Sequence, residues 1–400
     1  MINSLQLPSH IEHEIEQLAK QQEQPLCAYL YDLNALENHI KGMRHVLPKN
    51  VELFYAAKAN PSEPILRTLA PYVDGFEAAS GGELNHLHQQ LLNKPLIFGG
   101  PGKMVSELEQ AIKLDVDAIH VESITELQRI GALTQKLNRS VSIFLRMNID
   151  IGDITLSKLA MGGKPTPFGL DEAELDNAIM LLRDYPLIQL KGFHFHLMSH
   201  QLDVSRHLAL MGRYFQVVKG WKQKYSLDEL TINLGGGMGI NYQDPQQHFP
   251  WSEFCDKLEF LIAKEQMQNW VLRFECGRYI SAPCGYYVME VLDIKQNLGE
   301  NFVIARGGTH HFRTPAAQSH DHPFVILNNQ QHPPISNPIG HTTATLVGQL
   351  CTPKDVLARN QVIERIDIGD YVVFTLAGAY AWNISHQNFL MHEPPLFHYF

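Results

Sequence analysis

Short apolar runs alternate with amphipathic stretches from about residue 50 to residue 280. Eight of these runs have the continuous apolar character of strands buried on both faces. They are Val51–Ala57, Val73–Ala78, Pro95–Phe98, Ala118–Val121, Val141–Arg146, Ile188–Leu197, Leu230–Leu234 and Val271–Phe274. Stretches with helical spacing lie between them, namely Glu63–Leu69, Glu83–Leu92, Ser106–Leu114, Thr125–Asn138 and Trp251–Gln266. This alternation predicts a parallel sheet, and eight units favour a (β/α)8 barrel over an open sheet.

The hydrophobic pattern changes after residue 280. Helical spacing almost disappears, and turns rich in Gly, Pro and Asn separate short β-type runs, which predicts a mostly β domain. The runs are Tyr286–Ile294, Asn301–Ala305, Pro323–Leu327, Thr345–Val347 and Tyr371–Leu376. Before residue 50 the pattern predicts a helix, a strand and a second helix, at Ile11–Gln21, Leu26–Tyr31 and Leu33–His45. We therefore predict an N-terminal segment (1–30) packed with the β domain, a barrel (31–280) and the β domain itself (281–400).

Composition narrows the class of protein. Of the 400 residues, 44% are hydrophobic and 18% charged, as in a globular protein with a large core. The net charge of −10 argues against a nucleic-acid partner, and no apolar run reaches the length of a membrane span. The N-terminus lacks the basic start and apolar stretch of a signal peptide. Five scattered cysteines without a CxxC pair predict reduced thiols, and hence a cytoplasmic protein.

The first candidate for chemistry is Lys58. It follows the first apolar run, within Phe54–Asn60, and in a barrel the carboxyl ends of the strands build the active site. Partial desolvation of an amine at the barrel mouth favours imine chemistry. A surface lysine at a strand end is the alternative interpretation.

The sixth run ends in a histidine pair. His194 and His196 are two residues apart, so on a strand their side chains share a face. Such a pair suits a zinc site, an imidazole stacked on an aromatic cofactor, or hydrogen-bonded histidines in a polar barrel core. The pattern alone leaves the three open.

The seventh and eighth runs also end in unusual residues. Gly235–Gly237 after a strand lets backbone N–H groups approach an anion such as a phosphate, although a tight turn explains the glycines equally well. Glu275 and Arg278 form either an ion pair or the partners of a cofactor's ring nitrogen and phosphate.

Two further positions lie in the β domain. Cys351 stands in a turn-like segment, Gly348–Asp355, and a lone cysteine of this kind is more often inert than reactive. Tyr380 follows a turn of small residues after a strand.

Taken in order, these motifs resemble those of the fold-type III pyridoxal-phosphate decarboxylases, the group of diaminopimelate, ornithine and arginine decarboxylases. The resemblance extends over nearly the whole chain. It includes the lysine motif, the Gly-Gly-Glu turn, the histidine strand, the glycine loop, a Glu-x-Gly-Arg motif, the cysteine loop and a Gly-Ala-Tyr motif, at Phe54–Asn60, Ala79–Leu84, His194–Ser199, Gly235–Gly237, Glu275–Arg278, Gly348–Asp355 and Gly378–Tyr380.

The resemblance implies an amino-acid decarboxylase with pyridoxal 5'-phosphate (PLP) as cofactor, no metal, and the two-domain architecture of alanine racemase. Lys58 would carry the cofactor as a Schiff base, His196 would stack on the pyridine ring and Glu275 would keep the ring nitrogen protonated. Cys351 would protonate the substrate α-carbon. Because it comes from the neighbouring subunit in this family, a head-to-tail homodimer with shared sites is implied. The residues implied in cofactor and phosphate binding also include Ser199, Gly235, Gly236, Gly237, Gly277, Arg278 and Tyr380.

Departures from the family pattern bear on the substrate. Relatives that act on diamino acids usually have an acidic residue after the cysteine, where this chain has Thr352. Loss of that carboxylate removes about 1.5–3 kcal/mol of attraction for a distal ammonium. His310 and Arg313 offer donors at the expected rim, and with Thr352 and Asp355 they are the candidate substrate contacts. The chain most resembles the siderophore-pathway members, which decarboxylate an amino acid conjugated to citrate.

Several alternatives remain on sequence grounds. A diaminopimelate or other diamino-acid decarboxylase is the nearest. A zinc-dependent amidohydrolase also uses His-x-His in a barrel, though on its first strand. An inactive PLP-binding homologue is disfavoured by the presence of both Lys58 and Cys351. A racemase on the related barrel would need a tyrosine base, and the cysteine loop fits decarboxylation better. Two smaller departures are Cys276 in place of proline and Glu77 in place of aspartate.

Overall fold

The computed structural model describes residues 6–90, 92–152, 162–245, 247–329 and 338–400. The strands are β1 (Cys27–Tyr31), β2 (Val51–Ala56), β3 (Gly75–Ala78), β4 (Leu96–Phe98), β5 (Ala118–Val121), β6 (Val141–Asn148), β7 (Leu170–Asp171), β8 (Ile188–His194), β9 (Thr231–Asn233), β10 (Val271–Cys276), β11 (Gly285–Asn297), β12 (Glu300–Ala305), β13 (Phe324–Leu327), β14 (Ile339–Val347), β15 (Val356–Ile366), β16 (Tyr371–Phe374) and β17 (Leu396–Tyr399). The helices are α1 (Ser9–Lys20), α2 (Leu33–Val46), α3 (Glu63–Leu69), α4 (Gly81–Gln89), α5 (Val105–Lys113), α6 (Ile124–Leu137), α7 (Leu175–Leu182), α8 (Val204–Tyr225), α9 (Trp251–Lys264), α10 (Arg278–Ser281) and α11 (Thr314–Gln318).

The chain divides into two units. One consists of Glu37–Ile240 and His248–Ile280, and the other of Met1–Leu36, Asn241–Gln247 and Ser281–Phe400. Among the described residues, no helix is long and apolar enough to cross a membrane.

Parallel strands close into a barrel in the first unit. Within the described residues eight strands pair in the order β2–β3–β4–β5–β6–β8–β9–β10 and back to β2, and the short β7 pairs with β6. Each of the eight predicted apolar runs overlaps one of these strands, and β6 and β10 extend two residues beyond their runs, so the predicted (β/α)8 barrel is confirmed. Helices α7 and α8 were not predicted, although both are amphipathic.

Side chains that point into the barrel form layers, because residues two apart on a strand share a face. At the amino ends of the strands, Arg273 Nε donates to Glu52 Oε2 (2.7 Å) and Nη1 to Asp117 Oδ2 (2.8 Å). Its guanidinium lies 4.0 Å from the centroid of the Phe54 ring. A buried apolar layer follows, made of Phe54, Ile97, Ala118 and Phe144. The next layer toward the carboxyl ends is polar, and its members are His120, His194, Asn233 and Glu275.

The Gly-Gly-Glu turn is the start of a helix. Ser80 Oγ accepts a hydrogen bond from the Glu83 N–H (3.1 Å), and Glu83 Oε2 accepts one from the Ala79 N–H (2.7 Å). This reciprocal cap satisfies backbone donors at the first turn of α4. It directs the chain away from the barrel mouth directly after β3.

The second unit is built on a sheet in the order β13–β16–β11–β12–β14–β15, with β1 paired to β11 and β17. One face of the sheet and α1 enclose an apolar core of Leu7, Ile11, Ile15, Leu26, Ala28, Leu30, Val288, Tyr371 and Val373. The predicted mostly β domain is confirmed, but β15 and β17 were not predicted. The apolar residues of β15 are interrupted by the polar stretches Arg359–Gln361 and Glu364–Arg365, and the strand pairs with β14.

Candidate active site

Lys58 lies at the carboxyl end of β2. A short 3-10 turn, Ala57–Ala59, carries it, and its two alanine neighbours are buried. Lys58 Nζ donates to both carboxylate oxygens of Glu77, at 2.9 Å from Oε2 and 3.2 Å from Oε1. The Glu77 side chain is 4% exposed, whereas that of Lys58 is 38% exposed. The amine therefore contacts a buried carboxylate, while the lysine side chain is partly exposed.

Glu275 is the centre of the polar layer. Asn233 Nδ2 donates to its Oε1 at 2.6 Å, and His120 Nε2 lies 3.3 Å from the same oxygen. His194 Nε2 lies 3.6 Å from Oε2. Burial raises the pKa of Glu275 to about 7, and the charge of Glu77 adds to the increase. A carboxyl group in this setting changes its charge near neutral pH.

His120 and His194 are stacked. Their ring centroids are 4.0 Å apart and the planes differ by 23°. Burial lowers the pKa of both well below the usual value, so both rings are neutral. Together with Glu275 they offer ligand atoms within 4.8 Å of one another. However, ring nitrogens bind a metal through in-plane lone pairs, and stacked rings direct these side by side, whereas tetrahedral zinc needs them to converge. The arrangement suits a neutral polar layer around Glu275 better than a zinc site.

The glycine loop after β9 has no room for side chains. A Cβ added at Gly235 would lie 2.4 Å from the backbone carbonyl oxygen of Phe195. At Gly236 it would lie 2.3 Å from that of Glu275, and at Gly237 2.6 Å from that of Met198. Gly235 and Gly237 also have positive φ, 66° and 102°. The tight approach therefore requires glycine at all three positions.

Two of the loop's three N–H groups already have protein partners. Gly235 N donates to Asn233 Oδ1 (3.0 Å) and Gly236 N to His196 Nδ1 (3.2 Å). Because Nδ1 of His196 accepts this bond, the ring proton is on Nε2. Burial and then the charge of Lys58 lower the pKa of His196 well below its usual value, so the ring is neutral.

The turns near the lysine hold further predicted residues. A Cβ at Gly277 would come within 2.9 Å of the Ala59 Cβ, so the glycine lets the turn after β10 pack on the lysine turn. Arg278 begins α10, and Ser199 is half-buried in the segment after β8.

The second unit contains the cysteine loop between β14 and β15. Cys351 is exposed, and Thr352 is half-buried. Asp355 Oδ1 accepts from Thr309 N (2.6 Å) and Oγ1 (2.8 Å), and its Oδ2 accepts from Leu350 N (2.9 Å). These bonds join the loop to the Gly307–His311 turn. The Asp355 carboxylate therefore holds the two segments together. Its direct contact with a substrate stays a prediction.

The other predicted residues of this unit differ in exposure. Arg313 is exposed, and Tyr380 has a left-handed backbone with φ of 50°. His310 is fully buried, and neither ring nitrogen has a hydrogen-bond partner among the described residues. Burial lowers the pKa of His310 to about 4, so the ring is neutral.

A protein-family profile described as "Pyridoxal-dependent decarboxylase, pyridoxal binding domain" matches residues 33–282. The chain belongs to the pyridoxal-dependent decarboxylases. It is 45% identical over 392 residues to the 2-[(L-alanin-3-ylcarbamoyl)methyl]-2-hydroxybutanedioate decarboxylase of Staphylococcus aureus, with 96% of each chain covered. It is also 27% identical over 330 residues to a diaminopimelate decarboxylase of Zymomonas mobilis, with 82% of this chain and 75% of the relative covered.

Solved structures agree on the fold of this decarboxylase. Diaminopimelate decarboxylase from Helicobacter pylori superposes with a TM-score of 0.84 at 24% identity, covering 96% of this chain and 94% of the other. Lysine/ornithine decarboxylase from Vibrio vulnificus gives 0.81 at 21% identity, covering 99% of each chain. The predicted family, the two-domain fold, the decarboxylase class and the PLP cofactor are therefore confirmed.

Sequence reasoning missed two members of the polar layer, His120 and Asn233. His120 is the one polar residue of β5, and Asn233 shares β9 with Thr231; both lie at inward positions. The alternation of inward and outward positions along a strand was the available signal. A polar side chain that points into a barrel core needs a partner, and both lie within 3.3 Å of Glu275.

Proposed function

We propose that this decarboxylase removes the α-carboxylate of an amino acid joined through an amide to a citrate-type acid, as a step of siderophore biosynthesis. The observation that carries the proposal is the identity of 45% across 96% of both chains to the Staphylococcus aureus enzyme. The name of that enzyme describes a 2-hydroxybutanedioate linked by an amide to carbon 3 of alanine. A substrate of this class has an amino-acid end and a carboxylate-rich end.

At the amino-acid end, Lys58 would bind the cofactor as a Schiff base and exchange it for the substrate amine. PLP, when bound, delocalises the electron pair that remains as CO2 leaves. Glu275 would accept the hydrogen bond of the pyridine nitrogen, which a buried carboxylate that titrates near neutral pH is suited to do. The neutral ring of His196 would cover one face of the pyridine.

The phosphate would be bound by the glycine loop and its surroundings. Because Gly235–Gly237 carry no side chains, the loop backbone itself would approach the phosphate, and Arg278 would supply positive charge. The Gly237 N–H would donate to the anion, whereas those of Gly235 and Gly236 donate to Asn233 and His196. The remaining residues that we assign to the phosphate are Ser199, Gly277 and Tyr380.

Cys351 would deliver a proton to the substrate α-carbon. Its exposure in the cysteine loop suits a side chain that acts on a bound ligand. The bonds of Asp355 to Thr309 and Leu350 would fix the loop's position.

The carboxylate-rich end would meet neutral and cationic groups. Thr352 carries no charge that would repel a carboxylate, and Arg313 offers a guanidinium that pairs with one in a bidentate manner. The buried ring of His310, which has no hydrogen-bond partner among the described residues, would add a donor. A diamino acid would lack the acidic partner that its distal ammonium requires.

A homodimer with shared sites would complete this arrangement. Six large apolar side chains within residues 384–397 are exposed, namely Ile384, Phe389, Leu390, Met391, Leu396 and Phe397. A patch of this kind on a protein surface marks an interaction site. Gln349 Nε2 lies 2.6 Å from His392 Nδ1, which joins the patch to the cysteine loop. We expect a second copy of the chain to cover it, in the cytoplasm.

Complementation tests the shared site. Lys58→Ala and Cys351→Ala homodimers are each expected to be inactive. If the two residues of one site come from different subunits, subunit exchange should restore about a quarter of wild-type activity. Heterodimers without recovered activity would contradict the shared site.

The substrate is tested by incubating the PLP-loaded enzyme with citryl-diaminopropionate, meso-diaminopimelate, ornithine and lysine, and measuring the loss of one CO2 by mass spectrometry. We expect the citryl conjugate to give the highest kcat/KM. Preference for a free diamino acid would overturn the proposal. Failure to decarboxylate any of these would favour the inactive homologue, and stoichiometric zinc without bound PLP would favour the amidohydrolase.

A further inference from the structure

Asn233 connects two parts of the barrel site that the proposed roles treat separately. It ends β9, is fully buried, and makes three contacts through one amide group. Oδ1 accepts the N–H of Gly235 at 3.0 Å. Nδ2 donates to Glu275 Oε1 at 2.6 Å and lies 3.3 Å from His120 Nε2.

The orientation of this amide follows from its partners. A backbone N–H can only donate, so the atom that faces Gly235 must be the amide oxygen. The NH2 group must then face Glu275, where it meets a carboxylate oxygen that accepts. The Gly235 N–H thus fixes the amide orientation, and the NH2 group then donates to Glu275.

Both contacts of the Asn233 amide are to groups whose positions are tightly constrained, the Gly235 backbone and the Glu275 carboxylate. Gly235 has φ of 66° and lies too close to Phe195 for any side chain, so its amide direction sets the path of the loop. Glu275 is buried, and the NH2 group of Asn233 is the nearest donor to its carboxylate. The Asn233 amide therefore spans from the carboxylate to the first residue of the glycine loop.

We propose that Asn233 is a positioning residue that couples the two ends of the cofactor site, holding Glu275 toward the ring nitrogen with its NH2 group and the phosphate loop in register with its carbonyl. This rests on the proposed roles of Glu275 and Gly235–Gly237. It goes beyond them because it predicts that one amide controls both ring and phosphate recognition, through separate atoms.

Two substitutions separate the two contacts. Asn233→Asp keeps an acceptor for the Gly235 N–H and loses the donor to Glu275, whereas Asn233→Ala loses both. The first measurement is the ratio of the affinities for PLP and for pyridoxal, which lacks the phosphate, by fluorescence titration of the cofactor-free proteins. We expect the ratio to stay within about twofold of wild type in Asn233→Asp and to fall about tenfold or more in Asn233→Ala.

The second measurement is the pH dependence of the visible absorbance of bound cofactor. An aspartate 2.6 Å from Glu275 must share a proton with it, because two carboxylates so close cannot both be ionised. Asn233→Asp should therefore show an added ionisation that wild type and Asn233→Ala lack. The added ionisation should disappear from Asn233→Asp in a Glu275→Gln background, where the new amide can donate to the aspartate.

These readouts distinguish positioning from a general structural role, which would change the Tm and both affinities together. Equal PLP-to-pyridoxal ratios in the two variants, or a pH profile of Asn233→Asp that superimposes on wild type, would overturn the coupling. Borohydride labelling of the wild-type protein separates failure of the coupling from failure of the proposed function. A pyridoxyl group on Lys58 with unchanged Asn233 readouts refutes only the coupling, whereas its absence refutes the proposed function itself.

Discussion

Lys58 and Glu77 form an ion pair in which only the lysine reaches solvent. The Nζ–Oε2 distance is 2.9 Å, and the two side chains are 38% and 4% exposed. Glu77 would therefore lose its partner in a buried setting whenever Lys58 is truncated. The pair links the stability of the cofactor-free barrel to the residue that we assign to Schiff-base formation.

Lys58→Ala is expected to destabilise the cofactor-free protein by about 1–2 kcal/mol, since it leaves a buried carboxylate unpaired while the exposed lysine limits the loss. Adding Glu77→Gln should recover part of this, because a neutral amide costs less to bury. Urea unfolding of the cofactor-free proteins measures both effects, with Lys58→Arg as the control that keeps the charge. If the double variant is no more stable than Lys58→Ala, the pair does not behave as described.

Glu275 should make the stability of the cofactor-free protein depend on pH. Burial, followed by the charge of Glu77, raises its pKa from 4.5 to about 7. A raised carboxyl pKa means that the folded state binds the proton more tightly than the unfolded chain. The stabilising contribution is thus fully present below pH 4.5 and is lost as the pH rises through 7.

Glu275→Gln removes this titration. Relative to wild type, the free energy of unfolding of the variant should rise by about 3 kcal/mol from the acid to the alkaline side of this range. Histidines that do not contact Glu275 titrate alike in both proteins, so comparing the two proteins at each pH cancels their contribution. Parallel stability curves for the two proteins would contradict the raised pKa.

Thr352 should tune the choice of substrate. Thr352→Asp introduces a carboxylate after Cys351, which attracts a distal ammonium and repels a citrate-type carboxylate. We expect the ratio of kcat/KM for diaminopimelate to that for the citryl conjugate to rise about tenfold or more. Thr352→Ser is the matched control, with little change expected. An unchanged ratio in Thr352→Asp would remove this residue from the substrate site.

Arg273 should be needed for stability rather than chemistry. It is 2% exposed and bonds to Glu52 and Asp117 at the end of the barrel opposite Lys58. Arg273→Met leaves both carboxylates without this partner and should cost about 2–4 kcal/mol in urea unfolding. Arg273→Lys keeps the charge but loses the planar fork over Phe54, so an intermediate loss is expected. If Arg273→Met loses less free energy of unfolding than Arg273→Lys, the network of Arg273 with Glu52 and Asp117 does not stabilise the barrel as described.

The sequence predicted the barrel because its strands are buried on both faces and are therefore continuously apolar. Lys58, Gly235–Gly237 and Glu275 were found because each follows or closes such a run. His120 and Asn233 were not found, because a polar residue within a short strand shows its partner only when the neighbouring strands of the barrel are known. Only barrel closure, which pairs β9 with β10 and β5 with β6, brings both side chains to Glu275. Strand β15 was missed because polar residues interrupt its apolar positions, whereas pairing with β14 sustains the strand along its length.

The measurement that tests the central claim most directly is reduction of the native PLP-loaded protein with borohydride, followed by peptide mapping. We predict one pyridoxyl group per chain, on Lys58, and none on the same residue after denaturation before reduction. A pyridoxyl group on another lysine, or a native protein that acquires none, would contradict the account.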